Sequence, residues 1–202
     1  MVTMRIDVDY PYPSRIRSFL YTTVGIRTRK QYLKNSKIVA EMINKSSKDV
    51  RAYWFFTPKT VPDKELLQLI ENPKHEVALH VVNDPYKELR NLEQRTGKKI
   101  RYYTIHGTAR LLARIMWRCK SKAPKIPEDF PLQSFHRFPT TGIDSLCYLY
   151  PAEQAKLMTE DAIRNGNVIY FHPIWLFQRG KLNHRGPFYH VLKGILNDGD
   201  TA

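Results

Sequence analysis

Short apolar runs alternate with amphipathic segments along the whole chain, a pattern typical of parallel strands joined by crossover helices. The apolar runs predict strands at 4–8, 51–56, 76–81, 101–105, 145–150 and 168–171. Helical periodicity and end signals predict helices over about 28–44, 62–72, 84–96, 108–118, 151–164 and 187–196. Six or seven mostly parallel strands with about six helices favour a single-domain α/β fold, namely a β/α barrel that is incomplete or distorted.

The ends of several elements carry their own markers. Asp84 followed by Pro85 matches a capping residue and a proline at the first helical position, and Gly97 is a residue that commonly stops a helix. The prolines between residues 120 and 132 predict an irregular excursion. We expect residues 1–202 to form one domain with a frayed tail from residue 197.

Charge adds a question about partners. The chain carries 33 Lys and Arg against 19 Asp and Glu, for a formal net charge of +14. A positive field attracts nucleic acid, phosphorylated sugars or acidic membranes. Because the charge is spread along the sequence, a merely solvated surface is the alternative, and we do not expect nucleic acid as the partner. No segment approaches the roughly 20 apolar residues that span a bilayer, and no secretory start is visible, so we expect a cytoplasmic protein.

Ionisable residues recur where predicted strands end. Asp7 and Asp9, spaced by one residue, share a face of the first strand. Because parallel α/β folds gather the carboxyl ends of their strands at one edge, we expect a functional site there. The candidate residues are Asp7, Asp9, His80, Asp84, His106 and His172.

The residue types indicate a metal centre. Two aspartates on a buried strand need compensation, because an isolated buried carboxylate costs several kcal/mol, and a metal ion is the usual partner. An imidazole such as His80 is a common ligand, and His172 is suited to proton transfer near neutral pH. The alternatives stay open: the aspartates could be solvated where the strand ends, and each histidine could be a hydrogen-bonded core residue.

The order of these motifs resembles the polysaccharide deacetylase, or NodB-homology, superfamily, which the carbohydrate esterases of family four typify. The opening Asp7-Val8-Asp9 is similar to the paired aspartates of that superfamily, and Lys74-His75-Glu76-Val77-Ala78-Leu79-His80 resembles its second motif. Arg137-Phe138-Pro139 and Ile169-Tyr170-Phe171-His172 resemble two later motifs. The resemblance implies that Asp7 is the general base, Asp9 and His80 are metal ligands, Arg137 orients the base and His172 is the general acid.

The chain departs from this pattern at two places. Val8 separates the aspartates, and Asp84 stands where the second metal histidine is expected. Some divergent relatives resemble this chain in an Asp-x-Asp opening and a later strand that ends in His-Gly, as His106-Gly107 does here. The resemblance therefore implies Asp9, His80 and His106 as ligands, with Asp84 as a substitute ligand or a supporting partner.

The implied activity is metal-dependent hydrolysis of an N-acetyl group on an amino sugar or glycan. Zinc suits the ligand set, as do cobalt, nickel and iron. Aromatic residues that flank the motifs could stack on sugar rings, and core packing is the alternative for each of them. The candidates for sugar contact are Tyr10, Tyr12 and Trp175, with Trp54 and Phe135 as further aromatics near the motifs. The basic charge favours an anionic sugar.

Two other functions remain compatible with the sequence. An inactive binding module of the same fold, for nucleic acid or an acidic glycan, would explain both the charge and the missing histidine. A hydrolase of another non-peptide carbon-nitrogen bond, such as a ring amide, would use the same metal, base and acid. Metal content separates the first of these from an enzyme.

Overall fold

The computed structural model describes residues 1–9, 29–106, 124–178 and 181–197. The strands in these ranges are β1 (Val2–Val8), β2 (Val50–Phe56), β3 (His75–Val81), β4 (Tyr102–Ile105), β5 (Gln133–Ser134), β6 (Thr140–Gly142), β7 (Val168–Phe171), β8 (Phe177–Gln178) and β9 (Lys181–Leu182). The helices are α1 (Arg29–Lys45), α2 (Lys64–Leu69), α3 (Pro85–Thr96), α4 (Ile143–Leu149), α5 (Ala152–Arg164) and α6 (Pro187–Leu196). Two 3₁₀ turns span Phe135–Arg137 and Pro173–Leu176.

Seven of the strands form one parallel sheet in the order β5-β4-β3-β2-β1-β7-β6. The sheet curls into a half-barrel, which confirms the predicted α/β class and the incomplete barrel. β8 and β9 form a separate antiparallel hairpin. β1 lies between β2 and β7, so its carboxyl end is central among the strands that carry the candidate residues.

The two faces of the sheet differ in chemistry. The helix-covered face is apolar, and Ile6, Trp54 and Phe171 are fully buried there against the helices. Residues of the opposite parity point to the other face, which we call the inner face. A second and smaller apolar cluster lines the inner face around Tyr53 and Phe55. Burial of each large apolar side chain contributes about 1.5–3 kcal/mol, so the helix-covered face supplies most of the hydrophobic stabilisation.

The predicted capping of α3 is confirmed. The Asp84 side chain accepts a hydrogen bond from the Lys87 amide at 3.0 Å, and Pro85 opens the helix. Gly97 ends it with φ of +66°, a left-handed conformation that glycine adopts without a steric penalty. The strands and helices predicted elsewhere in the described ranges agree with the structure within two residues at most ends, with one exception.

The exception is the segment predicted as a strand at 145–150, which is wrong. Residues Ile143–Leu149 form helix α4 instead. Ile143 is buried, and Leu146 and Cys147 pack partly against the same core, which is helical spacing. The sheet takes the shorter and more polar segment Thr140–Gly142 as its edge strand β6. A three-residue edge strand without an apolar run has no alternating pattern to detect.

Some predictions concern residues that are not described. The helix predicted at 108–118, the first four residues of the excursion predicted from residue 120, and the tail after residue 197 lie outside the described ranges. The rest of the excursion, 124–132, is free of helix and strand, as predicted. Across the described residues, no helix is both long enough and apolar enough to cross a bilayer.

Candidate metal centre

Four strands deliver the central residues to one edge of the sheet. Asp9 follows β1 directly, His80 is the penultimate residue of β3, and His106 and His172 follow β4 and β7. All four have the parity of the inner face. The parallel register of the sheet brings them together at its carboxyl edge, as the sequence predicted.

Three imidazoles surround the Asp9 carboxylate. His80 Nε2 lies 2.9 Å from Oδ1, while His106 Nδ1 and His172 Nε2 lie 3.5 Å and 3.4 Å from Oδ2. His80 Nε2 and His106 Nδ1 are 3.2 Å apart. Asp9, His80 and His106 therefore form one group with metal-ligand spacing, and Asp7, Asp9 and His172 form a second group.

The outer nitrogens of two of these rings are held in place. His80 Nδ1 shares a 2.6 Å hydrogen bond with Thr104 Oγ1. His172 Nδ1 donates to Asp144 Oδ2 at 2.6 Å, and the same carboxylate accepts the His172 backbone amide. Such partners fix the orientation of an imidazole and leave its inner nitrogen directed at the site.

The groups shift one another's protonation. Burial opposes the charge on Asp9, but His80, His106 and His172 outweigh that effect and hold the Asp9 pKa well below its ordinary value. Burial likewise opposes charge on the imidazoles, yet Asp9 raises the His106 pKa, and Asp144 with Asp9 raises the His172 pKa well above its usual range. In this arrangement, three imidazole rings share one carboxylate.

Asp7 is fixed by a residue that sequence analysis did not select. Arg5 Nε and Nη2 donate to the two Asp7 oxygens at 3.0 Å and 2.6 Å, and both side chains are buried. The Arg5 guanidinium also lies over the rings of Tyr170 and Phe55, at 4.7 Å and 5.6 Å from their centroids. A bidentate pair of this kind both neutralises Asp7 and sets its orientation.

Arg137, for which the resemblance implies this role, is placed differently. Its side chain is exposed, donates to Gln133 Oε1 at 2.7 Å and lies over the Phe138 ring. Among the described residues, the paired partner of Asp7 is Arg5. The arginine comes from the same strand because residues two apart in a strand share a face.

Asp84 does not join the gathered groups. Its side chain is exposed and caps α3, where it satisfies a helix amide. The turn between β3 and α3 is fixed instead by Glu88, whose carboxylate accepts the amides of Val82 and Asn83 at 2.8 Å and 2.9 Å. The structure thus gives Asp84 a helix-capping contact and brings His106, not Asp84, beside Asp9 and His80.

The aromatic candidates have separate positions. Trp175 is 42% exposed in the 3₁₀ turn that follows His172, and its amide donates to the His172 carbonyl. Tyr10 and Tyr12 lie outside the described residues. Trp54 is fully buried on the helix-covered face, and Phe135 packs in the inner-face cluster, so neither is exposed to a ligand.

Four residues that support the site were not selected from the sequence. Arg5 and Thr104 lie two residues before Asp7 and His106, so alternation alone could have placed them on the inner face. Asp144 was hidden by the mistaken strand at 145–150, because its role depends on the first turn of α4. His136, which is exposed, accepts the Ile105 amide at 3.0 Å beside His106 and was not among the candidate residues.

The residues present fit a divalent cation. Asp9 Oδ1 is buried and has no hydrogen bond of acceptable geometry from the described residues, although His80 Nε2 lies 2.9 Å away. An unsatisfied buried carboxylate oxygen facing an imidazole nitrogen is what a bound cation resolves. One carboxylate and two imidazoles suit zinc, and also cobalt, nickel or iron.

Comparison with known proteins adds little beyond this geometry. No protein-family model matches the sequence, and no curated protein matches it. Among solved structures, a mutant of a CE4 family pseudoenzyme with restored enzymatic activity is similar, with 14% sequence identity and a TM-score of 0.49. The similarity covers 97% of this chain and 64% of that chain, so this chain spans less than two thirds of that protein's length. At this level, the similarity does not bear on function.

Proposed function

We propose that this protein is a metal-dependent hydrolase that removes an N-acetyl group from an amino sugar or glycan. The observation that carries the proposal is the convergence on Asp9 of three imidazole nitrogens, all within 3.5 Å of its carboxylate oxygens. Two further residues flank this group and can serve as base and acid. Asp7 is a buried carboxylate, and His172 is an imidazole bound to the Asp144 carboxylate. A binding module has no need of such an arrangement.

Asp9, His80 and His106 would hold the cation. When bound, a divalent cation supplies Lewis acidity to the acyl oxygen and to the attacking water. The chain's own contribution is to hold these three side chains at one edge of a rigid sheet, with Thr104 orienting His80. This preorganisation removes the cost of assembling the site during each turnover.

Asp7 would act as the general base. Arg5 fixes its carboxylate, which accepts one proton from water as the water oxygen bonds to the acyl carbon. His172 would act as the general acid, because Asp144 outweighs the effect of burial, raises the pKa of the ring and sets its orientation. Transfer of the His172 proton to the leaving nitrogen completes cleavage of the carbon-nitrogen bond and yields acetate and a free amine.

The substrate we favour carries a negative charge. The formal charge of +14 supports an anionic sugar, such as one bearing phosphate or a uronic acid. Trp175, exposed three residues after His172, supports stacking of a sugar ring at the same edge.

The proposal is tested by metal content and acetate release. Protein purified without added metal should hold close to one equivalent of cation, and Asp9→Ala and His80→Ala should lose it. His190→Gln, an exposed histidine on α6, is the control for adventitious binding and should retain it. Wild type should release acetate from N-acetyl sugars, and from anionic sugars faster than from neutral ones.

Other outcomes lead to different conclusions. Absence of metal after reconstitution overturns the hydrolase and favours an anionic-ligand module of the same fold. Bound metal without acetate release from any N-acetyl sugar overturns the deacetylase and leaves a hydrolase of another carbon-nitrogen bond. Preference for neutral sugars overturns the anionic substrate alone.

A further inference from the structure

The Asp9 carboxylate is shared by two groups of donors. Asp9, His80 and His106 form the group used above, and Asp7, Asp9 and His172 form another with the same metal-ligand spacing. The geometry points to a second, weaker cation position at Asp7, Asp9 and His172, whose occupation inhibits the enzyme. The inhibitory part of this inference rests on the proposed function, whereas the position itself rests on the donors alone.

His172 is oriented as a ligating histidine is. Its Nδ1 is held by the Asp144 carboxylate at 2.6 Å, and its Nε2 faces Asp9 Oδ2 at 3.4 Å. A carboxylate bound to the outer nitrogen of an inward-facing imidazole is a common arrangement behind metal ligands. His80 has a comparable arrangement, with the Thr104 hydroxyl in place of a carboxylate at its outer nitrogen.

Asp7 retains the capacity to bind a cation despite its pairing with Arg5. Each carboxylate oxygen accepts one bond from the guanidinium, at 3.0 Å and 2.6 Å. A carboxylate offers about four lone-pair directions, so each Asp7 oxygen keeps one that Arg5 does not use. The pairing lowers the affinity of Asp7 for a cation without abolishing it.

Charge makes the second position the weaker one. Among the described residues, Asp7, Asp9 and Asp144 supply three negative charges around the centre, and the buried Arg5 supplies one permanent positive charge. In the neutral form in which imidazoles bind a cation, the rings add no charge. Two negative charges then remain, which one divalent cation balances. A second cation then enters a site that is already neutral and meets the repulsion of the first.

Occupation of the second position would stop the proposed reaction. A cation at Asp7 and His172 takes the carboxylate lone pair that accepts a proton and the ring nitrogen that donates one. No covalent step is involved, so removal of the excess cation restores activity. Turnover should therefore rise with the first equivalent of metal and fall with the second.

The test is a titration of the metal-free protein with Zn²⁺, monitored by calorimetry, and with Co²⁺, monitored by visible absorption. Wild type should show two steps, the second at least about tenfold weaker. His172→Gln and Asp144→Asn should lose or strongly weaken the second step and keep the first. His80→Gln should lose the first step, and His190→Gln should leave both unchanged.

A single step in wild type overturns the proposal, as does a weak step that survives His172→Gln or disappears in His190→Gln. The two proposals fail separately. Two steps with the expected dependence on His172, but no acetate release, would sustain the second position and refute the deacetylase. One binding step together with acetate release would refute the second cation position and support the deacetylase.

Discussion

Strand β3 carries a histidine near each end, and the two have opposite surroundings. His75 begins the strand on the helix-covered face, where its Nδ1 accepts the Trp54 indole N–H at 2.9 Å and its Nε2 bonds Asn44 Oδ1 at 2.9 Å. His80 lies five residues later on the inner face, with Nε2 directed at Asp9. Both interrupt an apolar strand, but one is fully satisfied by neutral partners and the other faces a carboxylate.

The difference shows that position within the sheet decides what a buried histidine does. An odd separation in a strand puts two side chains on opposite faces, and only the carboxyl end of a parallel strand opens toward the site. The same contrast separates two arginines. Arg5 is buried on the inner face and pairs with Asp7, whereas Arg137 is exposed and contacts Gln133.

The largest effect should come from the same substitution at both histidines. His80→Gln removes a proposed ligand and should abolish stoichiometric metal binding and lower acetate release on the order of 10³-fold, because metal catalysis supplies several kcal/mol. His75→Gln should keep the metal and cost about 1–3 kcal/mol of unfolding free energy through disturbed hydrogen bonds. Metal analysis and urea unfolding of the two variants measure these outcomes. Loss of metal in both would mean that the contrast between the faces is wrong.

Substitution of the two arginines should have very different effects on the free energy of unfolding. Arg5→Met leaves the Asp7 carboxylate buried without its partner and should lower the free energy of unfolding by about 3–5 kcal/mol. Arg137→Met should change it by less than about 0.5 kcal/mol, since its contacts are exposed. Urea unfolding of the metal-free proteins makes the measurement.

A double variant sharpens this comparison. Asp7→Asn added to Arg5→Met removes the unpaired charge and should recover part of the lost stability. No recovery would show that Arg5 acts through its ring contacts with Tyr170 and Phe55 and not through Asp7.

Lowering the pH should reduce the stability of the fold through His75, which lies apart from the candidate metal centre. Burial lowers the His75 pKa from 6.5 to about 4, so the native ring stays neutral where the unfolded chain takes up a proton. Stability from this group is therefore complete above pH 6.5 and falls as pH drops from 6.5 toward 4. The loss is about 3 kcal/mol by linkage. Urea unfolding of metal-free wild type and His75→Gln at pH 7.5 and 4.5 should show this difference in wild type only; equal pH dependence would contradict the assignment.

The sheet and the central residues could be predicted from the sequence because both depend on local sequence pattern. Apolar runs and capping residues locate the strands and α3, and parallel strands bring Asp9, His80 and His106 to one edge. Asp144 was missed because its contact joins distant segments: it reaches His172 only because residues 143–149 are helical. Arg5 was missed for a different reason. Alternation puts it on the same face as Asp7, but the resemblance to a known family pointed to Arg137.

The smallest predicted effect concerns the residue behind His80. Thr104→Val keeps the shape of the side chain but removes the hydroxyl that bonds His80 Nδ1. Loss of such a partner should weaken metal binding about 10- to 100-fold, because the ring is no longer held and its inner nitrogen becomes a poorer donor. Competition with a chromophoric chelator measures the affinity. The matched change on the other face, Asn44→Leu behind His75, should leave metal affinity unchanged while lowering stability. If Thr104→Val alters only stability, then Thr104 serves the fold as Asn44 does, and the hydrogen bond does not tune the centre.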